Sequence, residues 1–126
     1  MKKSTYFILL LSLLFSFQSS AHSVKTLRVT ASAYNSVAAQ TNHHPNLTAW
    51  GVRLKPGMKA VAISRDLLHK GLKKGSRITI QGLSGEYVVL DKMHRRWRNK
   101  IDIYMGNDIK AARKWGKRTV TITVLD

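Results

Sequence analysis

Residues Val88–Gly106, VVLDKMHRRWRNKIDIYMG, contain two short apolar runs that each hold one aspartate. Asp91 ends the first run, and Asp102 lies between Ile101 and Ile103 in the second. The whole chain has 6 acidic residues against 22 Lys and Arg, so an aspartate between two isoleucines indicates a role beyond solubility. The two-residue period of a strand puts both isoleucines on one face and Asp102 on the other. With the isoleucines in the core, Asp102 faces a cleft.

The segments on both sides of this stretch predict a mainly β domain. Six strands are predicted, at Leu27–Tyr34, Lys59–Ile63, Arg77–Gln81, Glu86–Asp91, Ile101–Tyr104 and Arg118–Leu125. The run Tyr87–Leu90 is apolar on both faces, which is typical of a strand covered on both sides in a closed barrel or a sandwich. The predicted fold is a small β-barrel with one or two short helices.

Two short helices are predicted from their end signals. Ser64 is a candidate N-cap for a helical turn over Arg65–Lys70, which would end at the following glycine. Asn107 or Asp108 caps a second helix that runs through Trp115, and Asp is among the preferred capping residues. Six short strands against two short helices imply a small, mainly β barrel.

The first 21 residues read as a secretory signal peptide. Lys2 and Lys3 form a positive start, Tyr6–Phe17 is mostly apolar, and small residues precede a cleavage point after Ala21. An uncleaved membrane anchor is the alternative, but this apolar run is shorter than the roughly 20 residues of a spanning helix. Cleavage would leave residues 22–126 as a single domain without a transmembrane anchor, exported to the periplasm, the cell envelope or the exterior.

The composition of the chain limits the classes of binding partner and of chemistry that are open to it. A formal net charge of +16 attracts polyanions of any kind, including nucleic acid, anionic lipid head groups and acidic cell-wall polymers. Export favours acidic envelope polymers, and nucleic acid is not expected. The chain has no cysteine, so neither a disulfide framework nor a thiol nucleophile is available.

A polar loop over Asn35–Thr48 holds the adjacent pair His43 and His44. Loops of this length are often functional. Adjacent histidines point in different directions and no third clustered ligand follows, so the sequence predicts no metal site and no cofactor.

Asp66, Asp91 and Asp102 each stand at or near the end of a predicted strand, where a barrel can gather side chains into one site. Carboxylates that lie close together repel, and apolar neighbours desolvate them, so the pKa of one of them is expected to be raised. A carboxyl that stays protonated near neutral pH suits a general acid for glycoside cleavage. The alternative is that these aspartates form turns or accept backbone hydrogen bonds.

Five segments together resemble the three-aspartate (3D) domain, and the similarity extends over nearly all of the chain after residue 28. They are Thr48–Gly51 (TAWG), Ala60–Ile63 (AVAI), Gly82–Asp91, Ile101–Tyr104 (IDIY) and Trp115–Gly116. That family shares a six-stranded double-psi β-barrel with membrane-bound lytic transglycosylase A and with stationary-phase and spore-germination muralytic proteins.

The resemblance implies a lytic transglycosylase that cuts peptidoglycan glycan strands between N-acetylmuramic acid and N-acetylglucosamine and leaves a 1,6-anhydro sugar. Asp102 would protonate the glycosidic oxygen and then accept the proton of the muramic C6 hydroxyl. Asp91 would set the pKa of Asp102, and Asp66 would be the third aspartate of the site. Tyr34 and Thr48 would line the cleft.

The basic loop after Asp91 is a second candidate binding element. By default it is a solvated surface with one packed tryptophan. In the functional interpretation, Trp97 stacks on a sugar ring while Arg95, Arg96 and Arg98 meet carboxylates of the wall peptides. Tyr104, on the same strand face as Asp102, would contact the substrate as well.

Two other functions remain open. One is a non-catalytic, expansin-like barrel that holds wall glycan through its charge and Trp97. The other is a basic protein that binds nucleic acid or anionic surfaces. The chain lacks the aromatics interleaved along a strand pair that readers of single-stranded nucleic acid use, which counts against this last function.

Overall fold

The computed structural model of the protein describes residues 24–36 and 46–125. The strands in this part of the chain are β1 (Lys25–Tyr34), β2 (Ala60–Ile63), β3 (Arg77–Ile80), β4 (Tyr87–Lys92), β5 (Lys100–Tyr104) and β6 (Arg118–Val124). A 3₁₀ helix, Arg65–Lys70, follows β2, and helix α1, Ile109–Trp115, precedes β6. No helix in these two ranges is long and apolar enough to cross a bilayer. The predicted signal peptide and the His43–His44 pair lie outside the described residues.

The six strands close into one mixed barrel in the order β1-β5-β2-β4-β3-β6. β1 pairs with β5 in parallel, as does β2 with β4, and the other neighbours are antiparallel. Closure pairs the main chain of each strand on both sides, which removes free sheet edges. The prediction of a mainly β, six-stranded double-psi barrel with two short helices is confirmed.

The barrel is filled by apolar side chains that alternate along every strand. On β5, Ile101 and Ile103 are fully buried, and they pair in register with Ile63 and Val61 of β2. The same two-residue period holds on the other strands, whose inward residues are Val29 and Ala31, Ile78 and Ile80, Tyr87 and Val89, and Val120 and Ile122. Because Ile101 and Ile103 point into the core, Asp102 faces outward from the barrel wall, as the alternation predicts.

A second, smaller apolar cluster covers part of the outer surface of β2, β4 and β5. Leu54, Ala60 and Tyr104 are its buried members, and Leu90 packs against it. The segment before β2 therefore covers one part of the outer surface of these three strands, and the other part of that outer surface stays open. The outer residues of β4, Val88 and Leu90, remain partly exposed, so this strand is covered less completely on its outer face than its sequence predicts.

The helix ends follow their predicted signals with one exception. Asp108 caps α1, since its Oδ1 accepts a hydrogen bond from the Ala111 N–H at 2.9 Å. Ser64 stands at the N-cap of the 3₁₀ helix, but its side chain makes no capping bond there. Its Oγ instead accepts from the Lys100 N–H at 2.9 Å, which ties the helix start to β5.

Candidate functional site in an acidic cleft

Asp91 and Asp102 lie on opposite sides of Ala62 on the outer surface of the barrel. Ala62 of β2 pairs in register with Asp91 on β4 and with Asp102 on β5. Since neighbouring strands are about 4.8 Å apart, the Cα atoms of the two aspartates are about 10 Å apart. The small side chain between them leaves space for a cleft of about 300 Å³. This acidic cleft is lined by Tyr34, Ala62, Asp91, Lys92, Met93, His94, Trp97 and Asp102.

A β-bulge turns Asp91 toward this cleft. Val61 pairs with Val89, but the register shifts and Ala62 pairs with Asp91 in place of Leu90. Strict alternation from the buried Val89 would have pointed Asp91 into the core. The extra residue of the bulge puts Asp91 on the same face as Ala62 and Asp102, in keeping with the frequent use of bulges to redirect side chains next to functional sites.

Asp102 is the more enclosed of the two carboxyls. Burial raises its pKa above the ordinary value of 3.8, while a hydrogen bond from Ser32 and the charge of Lys100 oppose this, and Asp91 adds a further upward effect. The Ser32 Oγ donates to Asp102 Oδ1 at 3.1 Å. Desolvation is thus the largest cause of the raised pKa of Asp102, and the charge of Asp91 is the smallest. The sequence had suggested repulsion between carboxylates as the first cause.

Asp91 combines an exposed face in the cleft with a structural contact. Its Oδ1 accepts hydrogen bonds from the N–H groups of Ala49 and Lys92, each at 2.8 Å. Burial raises the pKa of Asp91, and these two hydrogen bonds lower it in part, so that it stays above the ordinary value. Asp91 therefore anchors the turn at Ala49 to the barrel as well as lining the cleft.

The predicted substrate contacts separate into lining and supporting residues. Tyr34 lines the cleft. Thr48 is buried, and its Oγ1 accepts from the Val52 N–H at 3.0 Å, so its hydroxyl holds a turn. Tyr104 is only 2% exposed, and its hydroxyl hydrogen-bonds that of Ser36 at 2.8 Å. Tyr104 shares the face of Asp102 as predicted, but the apolar cluster around Leu54 covers it.

The Tyr34 hydroxyl is buried and has no hydrogen-bond partner among the described residues. Burial, followed by the charges of Asp91 and Asp102, raises its pKa above 10, so the phenol stays neutral. An unpaired buried polar group costs about 1 to 3 kcal/mol. We expect Tyr34→Phe to raise the free energy of unfolding by about 1 kcal/mol, measured by denaturant unfolding. A lower stability would show that the hydroxyl is hydrogen-bonded in the folded protein.

Trp97 stands at the rim of the cleft with positive charges on its ring. Its side chain is 36% exposed. The Lys100 ammonium lies 3.9 Å from the ring centroid, and the Arg96 guanidinium lies 5.0 Å from it. These cation–π contacts position the indole. Part of the ring that the sequence assigns to sugar stacking therefore already has a cationic partner.

Asp66 is not brought into the acidic cleft. It lines a neighbouring groove of about 200 Å³, and its Oδ2 accepts from the Asn99 N–H at 2.9 Å. Burial acts to raise its pKa, but hydrogen bonds from Ser64, Asn99 and its own N–H, with Lys70 nearby, bring the pKa below 3.8. The structure thus groups two of the three aspartates and leaves the third as an ionised carboxylate that holds a loop.

Three contributors to the site escaped the sequence argument. Ser32 donates to Asp102, Ala62 forms the floor of the cleft, and the charge of Lys100 lowers the pKa of Asp102 in part. Alternation along β1 could have identified Ser32, since it shares a strand face with Tyr34. The role of Ala62 depends on the strand order and on the bulge, and neither of these can be predicted from the local sequence.

A larger groove of about 450 Å³ lies outside the acidic cleft, and Met58, Lys59, Tyr87 and Asp108 are among its lining residues. Its one carboxylate, Asp108, is engaged in capping α1. The acidic cleft is smaller but holds both described carboxyl groups whose pKa is raised, Asp91 and Asp102, so we assign the candidate function there. Within residues 24–36 and 46–125, no group of three His, Cys, Asp or Glu side chains could hold a metal ion.

No family model matches the sequence, and none of the curated protein sequences matches it either. The resemblance to the three-aspartate domain therefore stays a prediction. Solved structures of similar fold include an apo expansin from Clavibacter michiganensis, with a TM-score of 0.53, and a mutant of the C. michiganensis expansin in complex with cellohexaose, with a TM-score of 0.52.

Both expansin structures are 16% identical to this chain in sequence. The similarity covers 81% of this chain and 51% of each expansin, so the chain spans about half the length of these proteins. At this identity the likeness establishes a shared barrel fold.

Proposed function

We propose that this chain is an exported barrel that binds cell-wall glycan in the acidic cleft. The observation that carries the proposal is the combination, in one open cleft, of two carboxyl groups with an exposed part of Trp97. An expansin with the same fold has been captured with cellohexaose, which supports an extended sugar chain as the class of ligand. Export rests on the signal-like residues 1–21.

The chemistry of the cleft suits sugar hydroxyls. Ionised carboxylates accept hydrogen bonds and can take two neighbouring hydroxyl donors at once. The face or edge of an indole packs against the C–H groups of a sugar ring. A volume of about 300 Å³ is at the lower end for ligand sites, so the cleft holds a short part of a glycan chain and the remainder extends over the surface.

The local acidity argues against nucleic acid at this site. The protein as a whole is strongly basic, but Asp91 and Asp102 line the cleft itself. Their charges would repel a phosphate backbone, whereas neutral sugar hydroxyls would be accepted. The positive charge elsewhere on the protein concentrates it near an acidic wall.

The second candidate function is cleavage of peptidoglycan by a lytic transglycosylase mechanism, and the observation that favours it is the half-buried Asp102 with a raised pKa. The Asp102 carboxyl would give its proton to the glycosidic oxygen as the bond from C1 to that oxygen breaks. The carboxylate would then take the proton of the C6 hydroxyl as the C6 oxygen bonds to C1. The substrate supplies the nucleophile, so one carboxyl is sufficient, unlike the two of common glycosidases.

Purified protein incubated with intact sacculi tests both candidates in one experiment. The protein in the pellet reports binding, and mass analysis of the soluble fraction reports bond cleavage. We expect the protein to pellet with the sacculi. Release of fragments with anhydromuramic ends would add the second function, whereas reducing ends would identify a hydrolase and contradict the single-carboxyl mechanism. Protein that remains in solution at low salt would contradict the binding proposal.

Trp97→Ala is expected to weaken sacculus binding about tenfold, since removing a tryptophan that contacts the ligand can cost more than 1 kcal/mol. The measurement is the dissociation constant from pelleting at a series of sacculus concentrations. Leu125→Ala is the control, because Leu125 is an exposed apolar side chain of similar exposure, 38%, that does not line the cleft. Equal binding by the Trp97→Ala protein and the wild type would exclude Trp97 as a sugar contact.

A further inference from the structure

Trp97 forms a common wall between the acidic cleft and the groove that holds Asp66. We call this second depression the cationic groove. It is lined by Arg65, Asp66, His69, Arg95, Trp97 and Arg98. The two depressions therefore share one indole ring: the acidic cleft has two aspartates and Lys92, and the cationic groove has three arginines and Asp66.

The positive charge of the cationic groove is poorly compensated. The one acid in it, the ionised Asp66, offsets one of three arginine charges, and Arg65 donates its Nε–H to the Met93 carbonyl at 3.1 Å. Within residues 24–36 and 46–125 the one ion pair formed joins Arg77 to Glu86, and neither of these residues lines the groove. The guanidinium groups of Arg95 and Arg98 thus form no ion pair with any described carboxylate.

Further positive charge surrounds the same tryptophan. The Lys100 ammonium and the Arg96 guanidinium both lie over the Trp97 ring. Arginine side chains bind carboxylates through two parallel N–H donors and are the preferred residues for planar anions. An anion in the cationic groove would meet the guanidinium groups that line it, and Trp97 would contact both this anion and the acidic cleft.

We propose that the cationic groove is an anion subsite, which binds a carboxylate carried by the wall polymer beside the sugar chain that occupies the acidic cleft. This inference rests on the proposed glycan function and makes it more specific. A peptide attached to a sugar in the cleft passes the Trp97 wall and places its carboxylates against Arg95 and Arg98. A neutral glycan such as cellulose or chitin binds only in the acidic cleft and leaves the cationic groove empty.

The test compares two forms of the same sacculi, taken from cells whose walls carry no phosphate polymer. In one form the carboxylates are native, and in the other they are coupled through a carbodiimide to a small neutral amine. Each form is bound by the wild type, by an Arg95→Gln/Arg98→Gln variant and by an Arg113→Gln/Lys117→Gln control. Arg113 and Lys117 are exposed and line neither depression, so the control matches the change in net charge.

Carboxylate blocking is expected to weaken wild-type binding about tenfold, which corresponds to two partly exposed ion pairs. The Arg95→Gln/Arg98→Gln variant should bind native sacculi about tenfold more weakly than the wild type and lose little more on blocking. The control should behave as the wild type does. Raising the salt concentration should reduce the wild-type preference for native sacculi.

Failure of this inference and failure of the glycan proposal give different results. A wild type that binds native and blocked sacculi equally well would overturn the anion subsite while leaving glycan binding in place. A double variant that still loses tenfold on blocking, or a control that loses the preference, would overturn the assignment to Arg95 and Arg98. A wild type that binds neither form at low salt would instead reject the glycan function itself.

Discussion

Ala62→Leu is expected to reduce binding to sacculi by about 100-fold or more. Ala62 forms the floor of the acidic cleft and pairs in register with both Asp91 and Asp102. A leucine here projects between the two carboxyl groups and fills the space that a sugar ring would occupy. A 100-fold loss corresponds to about 2.7 kcal/mol. Binding is measured by pelleting, and folding by circular dichroism and thermal unfolding.

The matched control for this substitution is Ala111→Leu. Ala111 lines the larger groove beside α1, and only its main-chain N–H is used by Asp108. Both variants add the same side chain, but Ala62 is only 5% exposed whereas Ala111 is half-buried, so Ala62→Leu is expected to lower stability by about 1 to 3 kcal/mol and Ala111→Leu by less. Loss of binding in Ala111→Leu with normal binding in Ala62→Leu would move the functional site to the larger groove.

The strands and the core could be predicted because the inward residues repeat every second position. Ile101 and Ile103 illustrate this, since their spacing alone separates the core face of β5 from the face that carries Asp102. The capping role of Asp108 was equally predictable, because the contact lies within one helical turn. Local periodicity and local hydrogen bonds are the parts of the fold that the amino-acid order expresses directly.

The position of Asp91 depends on information from another strand. Alternation from Val89 would have placed Asp91 in the core, and the bulge opposite Ala62 reverses its direction. As the end of an apolar strand, Asp91 is expected at a site shared with other strand ends, and it does line the cleft. The bulge itself arises from how β2 and β4 fit together, which a single strand does not reveal.

Burial by neighbouring segments explains why Tyr104 and Asp66 differ from expectation. Tyr104 does follow the face of Asp102, but Leu54 and Ala60 pack with it and close that part of the surface. Asp66 follows β2 as predicted, yet the Asn99 N–H draws its carboxylate into a loop contact outside the acidic cleft. These outcomes depend on where loops pack, for which the sequence has no periodic signal.

Asp102→Asn is expected to stabilise the folded protein at neutral pH. Burial raises the pKa of Asp102 in the folded state, so the folded protein binds this proton more tightly than the unfolded chain does. The stability of the wild type therefore falls as the pH rises from 3.8 through the raised pKa. Each unit of difference in pKa corresponds to about 1.4 kcal/mol.

Asparagine does not titrate, and its Oδ1 can still accept from Ser32. The advantage of the variant should thus be absent below pH 3.8 and complete above the raised pKa. Thermal unfolding at a series of pH values measures it. Asp91 keeps its own raised pKa, so part of the pH dependence should remain in the variant. A constant difference at all pH values would show that Asp102 has an ordinary pKa.

The same substitution is the decisive test of the second candidate function. An amide cannot give a proton to the glycosidic oxygen or take one from the C6 hydroxyl, and general acid–base groups contribute about 10²- to 10⁴-fold. Release of anhydromuramic fragments by Asp102→Asn should fall by that factor, near its upper end, because the carboxyl acts in both steps.

Asp91→Asn should reduce the release of anhydromuramic fragments less than Asp102→Asn does, because Asp91 acts on the reaction through its charge near Asp102. Sacculus pelleting by Asp102→Asn should fall about tenfold at most, since the amide keeps the shape of the carboxyl and part of its hydrogen bonding. A large loss of release with nearly intact pelleting separates proton transfer from glycan binding. A folded, stabilised Asp102→Asn protein that releases anhydro sugars at the wild-type rate would exclude Asp102 as the acid and base, and glycan binding would then be the one role left to the cleft.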